Sequence, residues 1–259
     1  MLKTAIFDAL ARYYDLFTVE DPADAPFYAR FIAAADDVLE IGVGTGRLAE
    51  ELAQLVMFGS YTGIDNSNAM LQVARDKMRL SGQRQRINLR LMDMRGLNLT
   101  KCFDVVLVPY LTFQFALTTR DQMATLSGLR RVLKKDGCCL VHLYHPDHNL
   151  IAMSGWRTEH RQHATEPGLG REVFWLTRSK MDRINQLIRF QVIYRYGSWT
   201  NRNGEIVVNE AMRYTFRYEM EHMAERCGLR ANAVYGDFKG RPLRESSRDM
   251  IFLLRKIGR

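Results

Sequence analysis

The chain has 259 residues, of which 47% are hydrophobic, 25% charged and 10% aromatic, enough for one large α/β domain or one domain with a substantial insertion and without the composition of a disordered protein. Asp8 interrupts the first apolar stretch and no apolar run reaches 18 residues, which predicts neither a secretory leader nor a membrane span, and hence a cytoplasmic protein. The net charge of +8 is lodged at one end: residues 1–150 hold 17 basic and 17 acidic residues, residues 151–259 hold 20 and 12, so the second part is either solvated surface or meets an anionic partner.

Helical spacing runs from Ile6 to Phe17 and from Pro26 to Ala34. The apolar stretch Asp37-Val38-Leu39-Glu40-Ile41 then reads as a strand, followed by Gly42-Val43-Gly44-Thr45-Gly46 and a helix from Arg47 to Met57. A second strand, Tyr61–Ile64, ends on Asp65, and Asn66, Ser67 and Asn68 offer caps for a helix to about Leu80. Strands at Ile87–Leu91 and Phe103–Val108, a helix from Asp121 to Leu133, a Lys134-Lys135-Asp136-Gly137 stop and a fifth strand, Cys138–Leu143, complete the alternation. Strands alternating with helices of this length predict βαβ units, and so a doubly wound, mostly parallel sheet.

The texture changes near residue 150. Ile188, Phe190, Val192, Tyr194 and Tyr196 alternate with other positions, as Ile206, Val208, Met212 and Tyr214 do more loosely, with Asn201-Arg202-Asn203-Gly204 as a turn between. This predicts an antiparallel region over 151–216, added after strand five and covering the substrate, with Trp156, Phe174, Trp175, Tyr194 and Trp199 as candidate lining. A helix from Arg217 to Cys227 and strands Leu229–Val234 and Met250–Leu254, within 217–259, complete a seven-stranded sheet. Cys102, Cys138, Cys139 and Cys227 lack zinc spacing, which predicts buried, reduced thiols and no metal, with Cys138 and Cys139 on opposite faces of a strand.

Three acids stand at the carboxyl ends of parallel strands, where open α/β sheets bind ligands. Glu40 closes strand one, Asp65 closes strand two and Asp93 follows strand three. A carboxylate after strand two suits the hydroxyls of a ribose, and one after strand three can accept from an adenine amino group. The glycines let the backbone approach a ligand closely. Their spacing, with Arg47 where a dinucleotide site has its third glycine one place later, argues against a pyrophosphate cradle and for a nucleoside with a zwitterionic tail.

The run Val38–Gly46 resembles motif I of the class I S-adenosylmethionine-dependent methyltransferases, and Gly63-Ile64-Asp65-Asn66-Ser67-Asn68-Ala69-Met70 resembles motif II. Tyr14-Asp15-Leu16-Phe17, Asp93-Met94-Arg95, residues 103–118 and Tyr235-Gly236-Asp237-Phe238 extend the likeness to a small-molecule branch that includes amino-sugar N,N-dimethyltransferases. The resemblance implies S-adenosylmethionine as cofactor and a Rossmann-like fold. It implies that Gly42 and Gly44 lie against the methionine portion and Asp65 on the ribose, with Glu40, Gly46, Asn66 and Met70 also binding the cofactor. Asp93 and Met94 would stand around adenine, Pro109 would bring its backbone near the cofactor, and Tyr14 would close over the methyl donor. Tyr110, Phe113, Phe115 and His145 are the candidates for the acceptor side, with Tyr14 and His145 as catalytic candidates.

Phe115 stands where relatives often carry a histidine, and residues 13–29 hold no Lys or Arg near the expected cofactor carboxylate. Both are departures from the amino-sugar pattern. Without the histidine an amine nucleophile, which needs no strong base, is favoured over a hydroxyl. The reading is a methyl transfer to a small-molecule acceptor, with an anionic acceptor and a homodimer both compatible with it. An RNA or protein methyltransferase using the basic second part is the alternative, and a nicotinamide oxidoreductase or a non-catalytic nucleoside-binding module are the distant ones. No Lys/Arg tract reads as an RNA arm.

Overall fold

The computed structural model describes residues 7–8, 11–17, 23–33, 35, 37–82, 87–146, 148–152, 154–166, 168–200 and 205–258. The turn expected at Asn201–Gly204 lies outside them. After a short α1 (Tyr14–Phe17) and α2 (Asp24–Ile32), the chain alternates β1 (Asp37–Ile41), α3 (Arg47–Leu55), β2 (Ser60–Asp65), α4 (Asn68–Leu80), β3 (Ile87–Leu91), β4 (Phe103–Val108), α5 (Thr119–Val132) and β5 (Leu133–Tyr144). Helix α6 (His148–Ala152) and strands β6 (Arg157–Thr165), β7 (Glu172–Asp182), β8 (Leu187–Tyr196) and β9 (Ile206–Arg213) follow. The chain then runs through α7 (Arg217–Arg226), β10 (Leu229–Tyr235) and β11 (Asp249–Lys256).

The main sheet has seven strands in the order β10-β11-β5-β4-β1-β2-β3. Strands β1 to β5 pair in parallel, and β11 enters antiparallel between β5 and β10. The order reverses between β1 and β4, so their carboxyl ends form the crevice where such sheets bind ligands. Both faces are covered. One carries Val38, Leu107, Cys138, Leu140 and Ile251 beneath α2, α3 and α4; the other carries Leu39, Val106, Cys139, Val141 and Phe252 beneath α5 and α7. Cys138 and Cys139 therefore do fall on opposite faces, both buried.

Strand β5 starts five residues before the expected Cys138. Lys134-Lys135-Asp136-Gly137 is no stop but part of the strand, because Leu133 pairs with Phe103 before the register shifts to Val105 opposite Cys138. Lys134 bonds Asp104 at 2.9 Å and Asp37 at 3.0 Å across that irregularity. A β-carbon on Gly137 would lie 2.8 Å from the Asp104 carbonyl. Polar residues thus extend a strand whose periodicity gave no sign of it.

The second sheet has the order β6-β7-β8-β9, antiparallel throughout. Alternation gives it two unlike faces. Val173, Trp175, Val192 and Tyr194 turn towards the N-terminal segment, where Phe17 stacks on Trp175 at 5.7 Å and Tyr13 meets Tyr194 at 5.4 Å. Phe174 turns the other way, onto Trp199 (4.9 Å) and His163, and Trp156 lies against Arg178 and Lys180. Of the five aromatic residues expected to line a pocket, only Trp175 and Tyr194 are on the inner face. No helix among the described residues is long and apolar enough to cross a membrane.

Candidate active site

The glycine turn joins β1 to α3 with all three glycines at positive φ: Gly42 at 76°, Gly44 at 54° and Gly46 at 80°. The reasons for glycine differ at each. A β-carbon on Gly42 would lie 2.5 Å from the Thr112 side chain, and one on Gly46 would lie 2.8 Å from Met78 Cε. These two are small so that the protein can pack against itself. At Gly44 the nearest atom is 4.0 Å away, so this backbone faces open space that a ligand can occupy. Of the three glycines, Gly44 alone has open space beside it.

Asp65 ends β2 beside that turn, buried, and accepts the Gly44 N–H at 2.9 Å and the Ser67 N–H at 2.8 Å. Burial pushes its carboxyl up, while backbone donors at Ser67, Gly44 and Asn66 pull it down. A carboxylate offers about four lone-pair directions, so three backbone donors leave room for one more, as from a ribose hydroxyl. Ser67 caps α4 by accepting the Met70 N–H at 3.1 Å, and donates to Asp8 at 2.6 Å. Asn66 is half-buried, whereas Met70 is buried in the cluster between α4 and the second sheet. Asp93 caps the single turn Met94–Gly96 and is clasped by Arg95, whose guanidinium holds its carboxyl low. An adenine amino group would therefore share this acid with Arg95. Met94 is half-buried against the core.

Glu40 faces away from the crevice. It is 2% exposed and accepts the Tyr61 hydroxyl at 2.6 Å; burial raises its carboxyl to about 8, against the pull of that bond. Glu40 shares with Val38 the face of β1 that α2, α3 and α4 cover, and its side chain is sealed there. Beside it, Arg47 holds buried Asp24 at 2.5 Å and lies near Tyr14, Asp15 and Tyr110. Asp15 fixes α1 on the turn: it accepts from Thr45 Oγ1 at 2.6 Å and pairs with Lys77 at 2.9 Å. This brings half-buried Tyr14 to the glycine turn.

Across the crevice, β4 ends at buried Pro109. Tyr110 (φ 48°) and Leu111 (φ 63°) follow, both in the left-handed region that side chains avoid. Such strain at a strand end persists only where the surroundings impose it, and it concentrates at functional sites. Phe113 turns into the core, fully buried, because the 3-10 turn Thr112–Phe115 points it inward; it does not line an acceptor pocket. Phe115 meets Phe7 at 5.2 Å and Phe190 of the second sheet at 6.5 Å. Gln114, also buried, donates to the Arg213 carbonyl at 3.1 Å and accepts the Tyr144 N–H at 2.8 Å. It ties the turn to β9 and to the end of β5.

His145 stands just beyond β5, half-buried, with Nδ1 2.9 Å from the Ser247 carbonyl. A carbonyl can only accept, so Nδ1 carries the hydrogen and the neutral ring presents its lone pair at Nε2. His142 is buried instead, with Nε2 2.9 Å from Asp249. Among the described residues no three His, Cys, Asp or Glu are grouped to hold a metal ion.

Residues 38–137, which span the glycine turn, Asp65, Asp93 and Pro109, match a family described as a methyltransferase domain. The cypemycin N-terminal methyltransferase of a Streptomyces species is 28% identical over 223 residues, covering 85% of this chain and 82% of that protein. The CcbJ methyltransferase from Streptomyces caelestis superposes with a TM-score of 0.82 at 25% identity, over 100% of both chains. CalS10, an amino pentose methyltransferase from Micromonospora echinaspora solved with S-adenosylmethionine bound, gives 0.65 at 22% identity, over 96% of this chain and 91% of that one. Residues 38–137 thus carry a methyltransferase domain, and the similar proteins support an S-adenosylmethionine-dependent methyltransferase.

The open backbone at Gly44 and the free capacity of Asp65 fit that cofactor. Several residues of this methyltransferase's site escaped the sequence reading. Arg47 carried a positional signal, being the first residue after the glycines. Asp15 and Gln114 lay in runs that carried the resemblance but with no sign of their partners, and Asp8 and Ser247 carried no signal, because each acts through a partner 30 or more positions away in sequence.

Proposed function

We propose that this methyltransferase transfers the methyl group to an amine nitrogen of a small molecule by in-line displacement. The observation that carries the reading is His145, whose bond to Ser247 fixes the tautomer that leaves Nε2 able to accept a proton. A neutral amine attacks unaided, and the proton it must shed, before or after transfer, is within the capacity of an imidazole; a hydroxyl acceptor asks for more. The cofactor supplies an electrophilic methyl on a sulfonium. The chain's part is to hold its partners: Gly44 and Asp65 hold the cofactor, and Tyr14 and Tyr110 flank the open turn from opposite sides. Phe115, packed under the second sheet, excludes water. Positioning of this kind can supply about 7–11 kcal/mol of the barrier reduction.

An N-terminal methyltransferase and an amino pentose methyltransferase among the similar proteins support the amine. Arg244 and Arg248, exposed on either side of Ser247, favour an acceptor with an anionic group. The test supplies methyl-labelled S-adenosylmethionine and purified protein to primary and secondary amines and to matched alcohols, with products followed by mass. Methylated amines, and their loss in His145→Ala with the cofactor affinity retained, are the expected outcome. Methylated alcohols alone would overturn the amine assignment. Label in ribonuclease-sensitive material from a cell extract would replace the small acceptor with RNA.

A further inference from the structure

We infer that a cleft at the end of the main sheet opposite the methyl-transfer site binds a phosphate-bearing anion. The cleft, of about 370 Å³, is lined by Arg130, Lys135, Asp136, Arg230, Arg255 and Lys256. It lies where β5 and β10 begin and β11 ends, whereas Asp65 and His145 stand at the far ends of their strands. Five of its eight lining residues are cations, the other three being Asp136, Ile257 and Gly258. Arg255 donates to the Asp136 carbonyl at 2.8 Å. The side chains of Arg130, Lys135, Arg230 and Lys256 form no hydrogen bond or ion pair with any described residue.

Two features separate this arrangement from an ordinary solvated surface. Arg230 and Arg255 are directly opposed across the antiparallel pair of β10 and β11, so their side chains leave the sheet on the same side. Like charges directly opposite in a ladder are destabilising, and Asp136 is the one acid among the described lining residues. A multiply charged anion bridging the two guanidiniums would remove the repulsion and match their forked donors. The second feature is Gly228, at φ 75°, whose absent β-carbon would lie 2.5 Å from Arg130 Nε. Glycine there keeps the space through which Arg130 reaches the cleft. A helix C-terminus explains one cation at position 130; it does not explain four more converging on the same concavity.

The concave shape favours a compact anion, such as a diphosphate group, over a polymer lying along a surface. The probe is inorganic diphosphate, titrated by calorimetry into full-length protein whose cofactor site is already saturated with S-adenosylhomocysteine. One diphosphate per chain is expected, with affinity falling as salt rises. The double variant Arg130→Ala/Arg230→Ala should lose tenfold or more of that affinity. The control Arg75→Ala/Arg79→Ala, which removes the same charge from the exposed face of α4, should lose none, with thermal midpoints confirming that both fold. Equal losses in the two variants would reduce the effect to net charge and overturn the site, as would no binding by the wild type. A short RNA that binds more tightly than diphosphate and depends on the same two arginines would overturn the compact anion.

Discussion

Gly44 and Gly46 are two residues apart in one turn, share a positive φ, and yet answer to different demands. At Gly46 a β-carbon meets Met78, so Gly46→Ala should lower the thermal midpoint because a packed helix must move. At Gly44 the space is open, so Gly44→Ala should cost only the left-handed strain, about 1–2 kcal/mol, while blocking the cofactor. Calorimetry with S-adenosylhomocysteine beside thermal melts separates the two, and the reverse pattern would mean that the wrong glycine has been placed against the ligand. Glu40 makes a different prediction. Its carboxyl is raised to about 8 by burial, so the folded protein favours the protonated form. The stability it contributes is complete below its ordinary value of 4.5, declines as pH rises, and is gone above about 8. Glu40→Gln should flatten the pH dependence of stability between those limits, as measured by chemical denaturation at several pH values. An unchanged slope would mean that Glu40 is already ionised.

At the level of elements, periodicity located β1 to β4, α4 and the last two strands within a residue or two, since each is apolar enough to display its own pattern. It failed where pairing, and not composition, makes the element. Arg157–Thr165 is polar with no alternation and becomes β6 only by pairing with β7. The early part of β5 is four polar residues held by a register shift and the Lys134 bonds. The site divides in the same way. Asp65 and Gly44 sit in contiguous motifs and could be read, whereas Gln114 takes its meaning from Tyr144 and Arg213, which are 30 and 99 positions away. Gln114→Ala would remove two part-buried hydrogen bonds to backbone, at about 0.5–1.5 kcal/mol each. Denaturant unfolding should register the loss, and an unaltered midpoint would show the link between the crevice and the second sheet to be incidental.

For the whole molecule, the chain divides its labour between two sheets. The strand order reverses between β1 and β4, where the proposed cofactor crevice lies, and the second sheet packs on Tyr13 and Phe17 of the N-terminal segment. Asp15 is the fastening, through Thr45 and Lys77. Asp15→Ala should therefore reduce methyl transfer more than cofactor binding, because Tyr14 and the roof are displaced while Gly44 and Asp65 stay in place. Steady-state kinetics with matched calorimetry would test this, and parallel losses in both would relocate Asp15 to the cofactor itself. The basic residues of the second part are spread likewise, with Arg189 and Arg195 in ion pairs within the second sheet, Arg244 and Arg248 beside Ser247, and Arg230, Arg255 and Lys256 at the rear cleft.

The most direct test of the central claim is calorimetry of S-adenosylhomocysteine binding to the wild type and to Asp65→Asn. Asparagine keeps one oxygen for the backbone donors and removes the charge. The account predicts one site in the wild type and an affinity at least tenfold weaker in the variant, in line with about 1.5–3 kcal/mol for a hydrogen bond to a charged group, with the thermal midpoint little changed. Equal affinities, or no binding by the wild type, would contradict the placement of the cofactor at the ends of β1 and β2.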